Sequence, residues 1–386
     1  MAIQTLSDQQ RIDWLRLIRS PSIGPITFRD LLNQFGSASQ AISALEGRQF
    51  NGKPFKLSSQ DSALREIEMA EKFGAQIVGL GEAAYPKWLQ SIDSAPPLLY
   101  LKGHSELGNR PSVGIVGSRN ASGAGLKFSG ILSKELSLQG VVIVSGLARG
   151  IDRAAHEASL SAGTIAVLGG GLDHIYPAQN EALYHKIASE GLLISERPLG
   201  VYAKAKDFPR RNRIISGISN GTIVVEAAVR SGSLTTARFA GEQGREVFAV
   251  PGHPLDPRAT GTNKLIRDGA TLITSADDVL EALIPQIKNN ELFLSSSHSG
   301  FGEQDSDFEK EDLNSSSNLQ SNHFAKNAEN LRERLIDLLG TTPIERDVLI
   351  RLLKCSAKDL QVVLLELDLE GLLEHHGQQK LSLKQS

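Results

Sequence analysis

The stretch Val113-Gly-Ile-Val-Gly-Ser-Arg-Asn120 decides the fold. A short apolar run with β-branched residues stops at Gly117 and helical spacing begins at about Gly123, so Ser118 and Arg119 stand where a strand hands over to a helix. Such a turn suits an anion. Backbone N–H groups at the helix start carry partial positive charge, Gly117 lets a ligand approach the main chain, and Arg119 adds a full charge on a planar donor fork. For this turn taken alone, a tight glycine corner beside a solvated Arg119 is an equal reading.

Working outward, further apolar β-type runs cover 141–144, 164–168, 192–194, 222–225 and 247–250, with helical patterns between them. Near-continuous hydrophobicity marks strands buried on both faces, which requires a parallel sheet covered by helices. The expected core is therefore a Rossmann-like, doubly wound, mainly parallel α/β domain over residues 76–285. Ligands of such sheets bind beyond the carboxyl ends of the strands. The distinctive residues fall there: Ser145-Gly-Leu-Ala-Arg-Gly-Ile-Asp152, Gly169-Gly-Gly-Leu-Asp-His-Ile-Tyr-Pro177, Phe208-Pro-Arg-Arg-Asn-Arg-Ile-Ile215, Glu226-Ala-Ala-Val-Arg-Ser-Gly-Ser-Leu-Thr-Thr236 and Pro251-Gly252.

Residues 1–75 read as a small all-α, helix-hairpin-helix (SAM-like) domain. Amphipathic spacing over 11–18, the hairpin Ser22-Ile-Gly-Pro25, and apolar Phe28, Leu31, Leu32 and Phe35 outline a motif whose hairpin either touches phosphate or simply turns the chain. Residues 77–80 suggest a short strand and 95–101 an irregular lead into the core, with Trp88 and Tyr100 as core fillers. Residues 286–330, rich in Ser, Asn and acidic side chains, are expected to be a disordered linker. Beyond it, helices over 331–339, 344–353 and 357–372, with Ser356 and Asp359 as a capping pair and a β-wing over 374–383, outline a winged-helix domain over 331–386. That domain has 8 basic residues against 9 acidic, which favours a protein contact or accessory role over groove reading.

No stretch approaches the apolar length of a membrane span, and Asp8, Arg11 and Asp13 interrupt the segment where a signal peptide needs an apolar core, so a cytoplasmic location is expected. A single cysteine, Cys355, excludes an internal disulfide and a cysteine metal cluster. The net charge of −3 argues against a generic polyanion binder. Residues 110–220, however, carry 13 basic side chains against 8 acidic, whereas 285–330 carry 3 against 8, which puts any polyanion site in the central segment.

Catalytic groups do not assemble in the sequence: no metal-spaced His or Cys pair occurs, His156 lies at helical spacing from Asp152 and is read as packing or capping, and His253 follows Pro-Gly alone. Glu226 beside the Ser/Gly/Thr loop is the best enzymatic candidate, and anchoring of backbone N–H groups is its other role. A dinucleotide site fails because Gly117, Gly123 and Gly125 have the wrong spacing and the second strand ends in Ser145-Gly146 without an acid. No cofactor and no metal is expected. An extended phosphate chain fits better. Cations come from Arg119, Arg149, Arg197, Lys204, Lys206, Arg210, Arg211 and Arg213, and hydroxyls from Ser118, Ser145, Ser231, Ser233 and Thr235. Tyr176 and Phe208 either stack on bases or serve as a rigid Tyr-Pro turn and a plug on the sheet.

Gly117-Ser-Arg119, Ser145–Asp152, Gly171-Leu-Asp-x-x-Tyr-Pro177 with Asn180, Phe208–Ile215, Val224-Val-Glu-Ala227, Ser231-Gly-Ser-Leu-x-Thr236 and Pro251-Gly252, taken in order, resemble the DNA-processing protein A family (DprA/Smf), in its long form with both flanking domains. The resemblance implies a non-enzymatic, single-stranded DNA-binding recombination mediator that protects incoming strands and loads the RecA recombinase during natural transformation, as a homodimer with no membrane association. It implies that Gly117, Ser118, Arg119, Arg149 and the Phe208, Arg210, Arg211, Asn212, Arg213 segment line the strand site. The Ser145-Gly146, Tyr176/Asn180 and Ser231-Gly232-Ser233/Thr235 loops would share it. The alternative is a Rossmann-like nucleotide hydrolase of the phosphoribohydrolase kind, using Glu226. Its expected Pro-Gly-Gly-x-Gly-Thr pattern is replaced here by Ser231-Gly-Ser-Leu-Thr-Thr.

Overall fold

The computed structural model describes residues 5–50 and 53–283, and beyond them residues 335, 339, 344–345, 349, 353, 360, 364, 367, 373–376 and 380–383. It opens with helices α1 (Asp8–Arg19), α2 (Pro25–Phe35) and α3 (Ala38–Leu45), a short antiparallel pair β1 (Gln49–Phe50) and β2 (Lys53–Pro54), and α4 (Gln60–Phe73). Ser7 and Gln10 form a capping box at the start of α1. Pro25 takes the first position of α2, where a missing N–H costs nothing. The apolar faces of α1 to α3 close over Leu17, Phe28, Leu31, Ala41 and Leu45.

Nine strands then form one sheet among the described residues: β3 (Gln76–Gly79), β4 (Leu98–Gly103), β5 (Ser112–Val116), β6 (Val142–Ser145), β7 (Thr164–Val167), β8 (Leu192–Ser195), β9 (Gly221–Val224), β10 (Glu246–Ala249) and β11 (Thr271–Leu272). Their spatial order is β11-β10-β9-β5-β6-β7-β8-β4-β3. Pairing is parallel from β11 to β8 and antiparallel where β8 meets β4 and β4 meets β3. Helices α5 (Lys87–Gln90), α6 (Gly123–Leu138), α7 (Ile151–Ser159), α8 (Glu181–Glu190), α9 (Asp207–Ile218), α10 (Gly232–Glu242) and α11 (Thr260–Arg267) connect the strands.

The central strands β5 to β9 are buried along their whole length. Alternate residues face opposite helical layers. Val113 and Ile115 pack with Leu132 and Leu136 of α6 and with Ile151 and Ala155 of α7. Val116, Val144 and Val224 pack with Ile214 and Ile215 of α9 and Ala237 of α10. Each fully buried aliphatic side chain of this kind contributes about 1.5–3 kcal/mol. The doubly wound, mainly parallel fold follows from that two-sided burial.

The path from β5 through β6 and β7 to β8 runs toward one edge, after which the chain returns to place β9 on the other side of β5. A crevice opens beyond the carboxyl ends of β5 and β9, where the direction of winding reverses.

Residues 95–101 are not an irregular lead. Pro96 and Pro97 only precede β4, whose Leu98–Gly103 bridges the parallel strands to β3. Trp88 is half-buried, with the Arg245 guanidinium 4.7 Å above its ring, whereas Tyr100 is fully buried as expected.

Contacts divide the chain into units covering 1–301 and 302–386, and the N-terminal helices belong with the sheet. In the second unit, β12 (Ile344–Glu345), β13 (Leu373–His376) and β14 (Lys380–Leu383) form an antiparallel sheet in the order β12-β14-β13. Leu360, Leu364 and Leu367, spaced as one helical face, are buried, and the β13–β14 hairpin is the wing of a winged-helix domain. Ile344 pairs with Leu381 as a strand instead of opening a helix. The linker, Cys355, and the Ser356/Asp359 pair lie outside the described residues.

Candidate nucleic-acid interface

A groove of about 850 Å³ occupies the crevice. Its first wall is the turn after β5, where Ser118 Oγ accepts the Asn120 N–H at 3.1 Å and the Ser118 carbonyl accepts the first amide of α7, from Ile151, at 3.2 Å. Gly150, just before α7, has φ +76°, and a Cβ there would run into the main chain of Ser118 and Arg119, so only glycine lets the two loops meet. Ser122 caps α6 through Gly125 N–H at 2.9 Å, and Glu226 fixes Ser122 by accepting its amide at 3.0 Å and its hydroxyl at 2.5 Å. Both carboxylate oxygens of Glu226 are thus engaged, and the residue does not line the groove.

The opposite wall is the start of α10. Ser231 caps it, its hydroxyl lying 2.6 Å from that of Ser233, and Gly232 beside it is exposed. Asn212 Nδ2 donates to the Gly232 carbonyl at 3.2 Å, which ties α9 to this loop. The starts of α7, α9 and α10 all lie around the groove, each with the partial positive charge of a helix N-terminus.

Arg211 forms the floor and is 5% exposed. Its Nη1 donates to the Gly146 carbonyl at 2.9 Å and to the Val167 carbonyl, and its Nε donates to Asn212 Oδ1 at 3.2 Å. A Cβ on Gly146 would lie 2.5 Å from Arg211 Nη2, so Gly146 gives the guanidinium its room. Below it, buried Asp152 accepts the amides of Gly146 at 3.1 Å and Ala148 at 3.3 Å. Burial pushes the Asp152 carboxyl up, against the pull of Arg211. Burial likewise lowers the Arg211 guanidinium to about 10, with Asp152 opposing and Arg119 assisting.

Two cations stand free above this floor. Arg119 and Arg230 are exposed and have no carboxylate partner among the described residues, and the Arg119 guanidinium lies 5.6 Å from the Phe208 ring. Phe208 in turn sits 5.4 Å from Tyr176, tilted by 43°, and Tyr176 is 55% exposed. Amides, hydroxyls, exposed cations and accessible aromatic rings suit a chain of phosphates carrying planar bases.

Of the residues expected at the site, the structure gathers Gly117, Ser118, Arg119, Tyr176, Phe208, Arg211, Asn212, Ser231, Gly232 and Ser233 around this groove. The others lie elsewhere. Ser145 is fully buried and donates to the Ile115 carbonyl at 2.6 Å. Asn180 is buried, its Nδ2 donating to the carbonyls of Leu147 at 2.9 Å and Ala148 at 3.1 Å, and so it braces the loop after β6. Gly146 sits behind Arg211, Arg149 is exposed outside the groove walls, and Thr235 lies one turn inside α10. Arg210 and Arg213 turn away onto Glu196, at 3.0 and 2.5 Å. Arg230 and Asn120 were not expected. Arg230 carries a sequence signal, because an arginine directly before a Ser-Gly-Ser helix cap repeats the pattern of charge beside a helix start.

Among the described residues no helix is long and apolar enough to cross a membrane. Residues 76–284 match the family model of DNA recombination-mediator protein A, 8–69 that of a DprA-like N-terminal HHH domain, and 323–379 that of the DprA winged helix domain. DNA processing protein DprA of Bacillus subtilis is 47% identical over 213 residues, which are 54% of this chain and 72% of the relative. The X-ray structure of DNA processing protein A from Streptococcus pneumoniae matches with TM-score 0.56 at 35% identity, covering 72% of this chain and 94% of that one. The DNA processing protein A of Helicobacter pylori, whose structure is described for its single-stranded DNA binding mode, matches with TM-score 0.51 at 30% identity, over 55% of this chain and 96% of that one.

Proposed function

The chain belongs to the DNA recombination-mediator protein A family, and on that premise we propose that it binds single-stranded DNA in the groove between β5 and β9, tolerant of sequence and without chemistry on the strand. One observation carries the reading: Arg119 and Arg230 are exposed and, among the described residues, free of carboxylates beside the Tyr176–Phe208 pair. Phosphates take the cations and bases take the rings, a division that reads no sequence. Hydrolysis of nucleotides is disfavoured because Glu226 spends both oxygens on Ser122. The wider role we propose is the family's: protection of incoming single strands and loading of RecA during natural transformation, by a cytoplasmic homodimer, with the winged helix as an accessory or protein-contact domain.

Fluorescence anisotropy with labelled oligo(dT) tests the groove. The double variant Arg119→Ala/Arg230→Ala is expected to bind at least about tenfold more weakly. Its log–log salt slope should be shallower by about 1.4, the release expected from two single-strand phosphate contacts. Unchanged affinity with an unchanged circular dichroism spectrum refutes the groove as the site.

A further inference from the structure

A second cavity, of about 250 Å³, opens where the N-terminal helices meet the sheet. Arg19, Ile23 and Pro25, from α1 and the turn before α2, form one side; Glu196, Arg197 and Arg210 form the other. The two sides are fixed to each other. Arg11 of α1 pairs with Glu82 at 2.8 Å. Arg19 pairs with Glu66 at 2.9 Å and donates to Tyr100 Oη of β4 at 3.1 Å. All five side chains are largely buried, so the hairpin does not swing independently of the sheet.

The charge on the core side is unbalanced. The single carboxylate of Glu196 is shared by Arg210 and Arg213. Arg197 reaches a carboxylate only at 3.8 Å, on Asp207. Arg197 Nε, at the cavity wall, is buried and has no hydrogen-bond acceptor among the described residues. Buried guanidinium N–H groups without acceptors are costly and suit an anionic oxygen brought from outside.

One segment joins this cavity to the groove. Ala203, Phe208 and Pro209 line the groove, whereas Val201 and Arg210 line the second cavity. A strand leaving the groove past Phe208 therefore meets Arg210 within one turn of α9. We propose that this junction is the continuation of the strand track. It takes a backbone phosphate of the same single strand a few nucleotides beyond the groove, on Arg197 and Arg210, with the Ile23–Pro25 turn as the far wall. The inference rests on the reading of the groove proposed above. Pro96, Pro97 and Pro198 give the cavity an apolar lining against which a deoxyribose can lie.

The test compares full-length protein with Arg197→Glu and the milder Arg197→Gln, using oligo(dT) of about six and about thirty nucleotides, one near the short end of usual single-strand site sizes and one well beyond them. Arg197→Glu is expected to leave the short strand's affinity unchanged and to weaken the long strand at least about tenfold, with Arg197→Gln intermediate. Equal effects on both lengths, or none on either, overturn the proposal and leave the cavity to some other partner, such as an acidic peptide. Arg119→Ala is measured in parallel. If it weakens neither length, the groove reading fails, whatever Arg197 shows. If Arg197→Glu does not fold by circular dichroism, Arg197→Gln alone decides through the same length comparison.

Discussion

Replacing Arg211 by alanine should damage the fold more than any other change at the groove. The side chain is 5% exposed, and truncation strands the carbonyls of Gly146 and Val167 and removes a nearby positive charge from the buried Asp152 carboxylate. Each orphaned carbonyl costs about 1–3 kcal/mol, so the two together cost about 2–6 kcal/mol. Against this, the variant no longer bears the burial of the guanidinium, the effect that brings Arg211 down to about 10. The expected net loss is about 2–4 kcal/mol, most of it from the two stranded carbonyls. Arg119→Ala, at an exposed side chain, should stay within about 0.5 kcal/mol of the parent. Urea unfolding followed by tryptophan fluorescence reads this directly, since Trp14 and Trp88 both lie in the first unit. pH gives a second handle. Burial raises the folded pKa of Asp152 above its unfolded value of about 3.9, and loss of Arg211 raises it further. The deficit of the variant should therefore shrink as pH falls from neutral through that raised value, because a proton neutralises the stranded carboxylate. A variant that unfolds like the parent at pH 7, or a deficit that grows toward acid, refutes the reasoning.

Two further outcomes follow from buried groups. His156 is fully buried and held near 3, chiefly by burial and also by Arg211, while Thr164 Oγ1, which donates to the Ile143 carbonyl at 2.8 Å, is its 2.8 Å neighbour at Nδ1. The folded state stays unprotonated there while the unfolded chain takes up a proton below about 6.5. Stability should therefore fall by about 1.4 kcal/mol per pH unit between about pH 6 and 4.5, and His156→Leu should remove that slope in acid titrations of unfolding. Gly150→Ala needs a left-handed backbone and puts a Cβ 2.9 Å from the Arg119 carbonyl carbon, so the Ser118-Arg119 turn must move. Oligo(dT) affinity measured by anisotropy should drop at least about tenfold, although residue 150 does not line the groove; unaltered binding by a folded variant refutes the link.

The sheet was legible in the residues because a strand buried on both faces must be almost wholly apolar, as 113–116, 165–167 and 223–224 are. The position of the groove was legible too, since the winding of such a sheet sends its loops to the carboxyl edge. β4 was hidden by Pro96 and Pro97, which signal a turn although they only precede the strand. The role of each arginine was not legible at all. Arg210, Arg211 and Arg213 stand within four residues of one helix, so their side chains point about 100° apart per residue. Only the packing of α9 sends Arg211 to the groove floor and the other two to Glu196. Ser145 and Asn180, polar and adjacent to glycine-rich loops, read like ligand contacts, yet the structure spends their hydrogen bonds on main-chain carbonyls. By itself the sequence determined which segments are buried and which chemical groups reach one rim, because burial and turn chemistry are local. Only the tertiary structure decided which of those groups stay unpaired, because a charge is free or spent according to what the rest of the fold brings beside it.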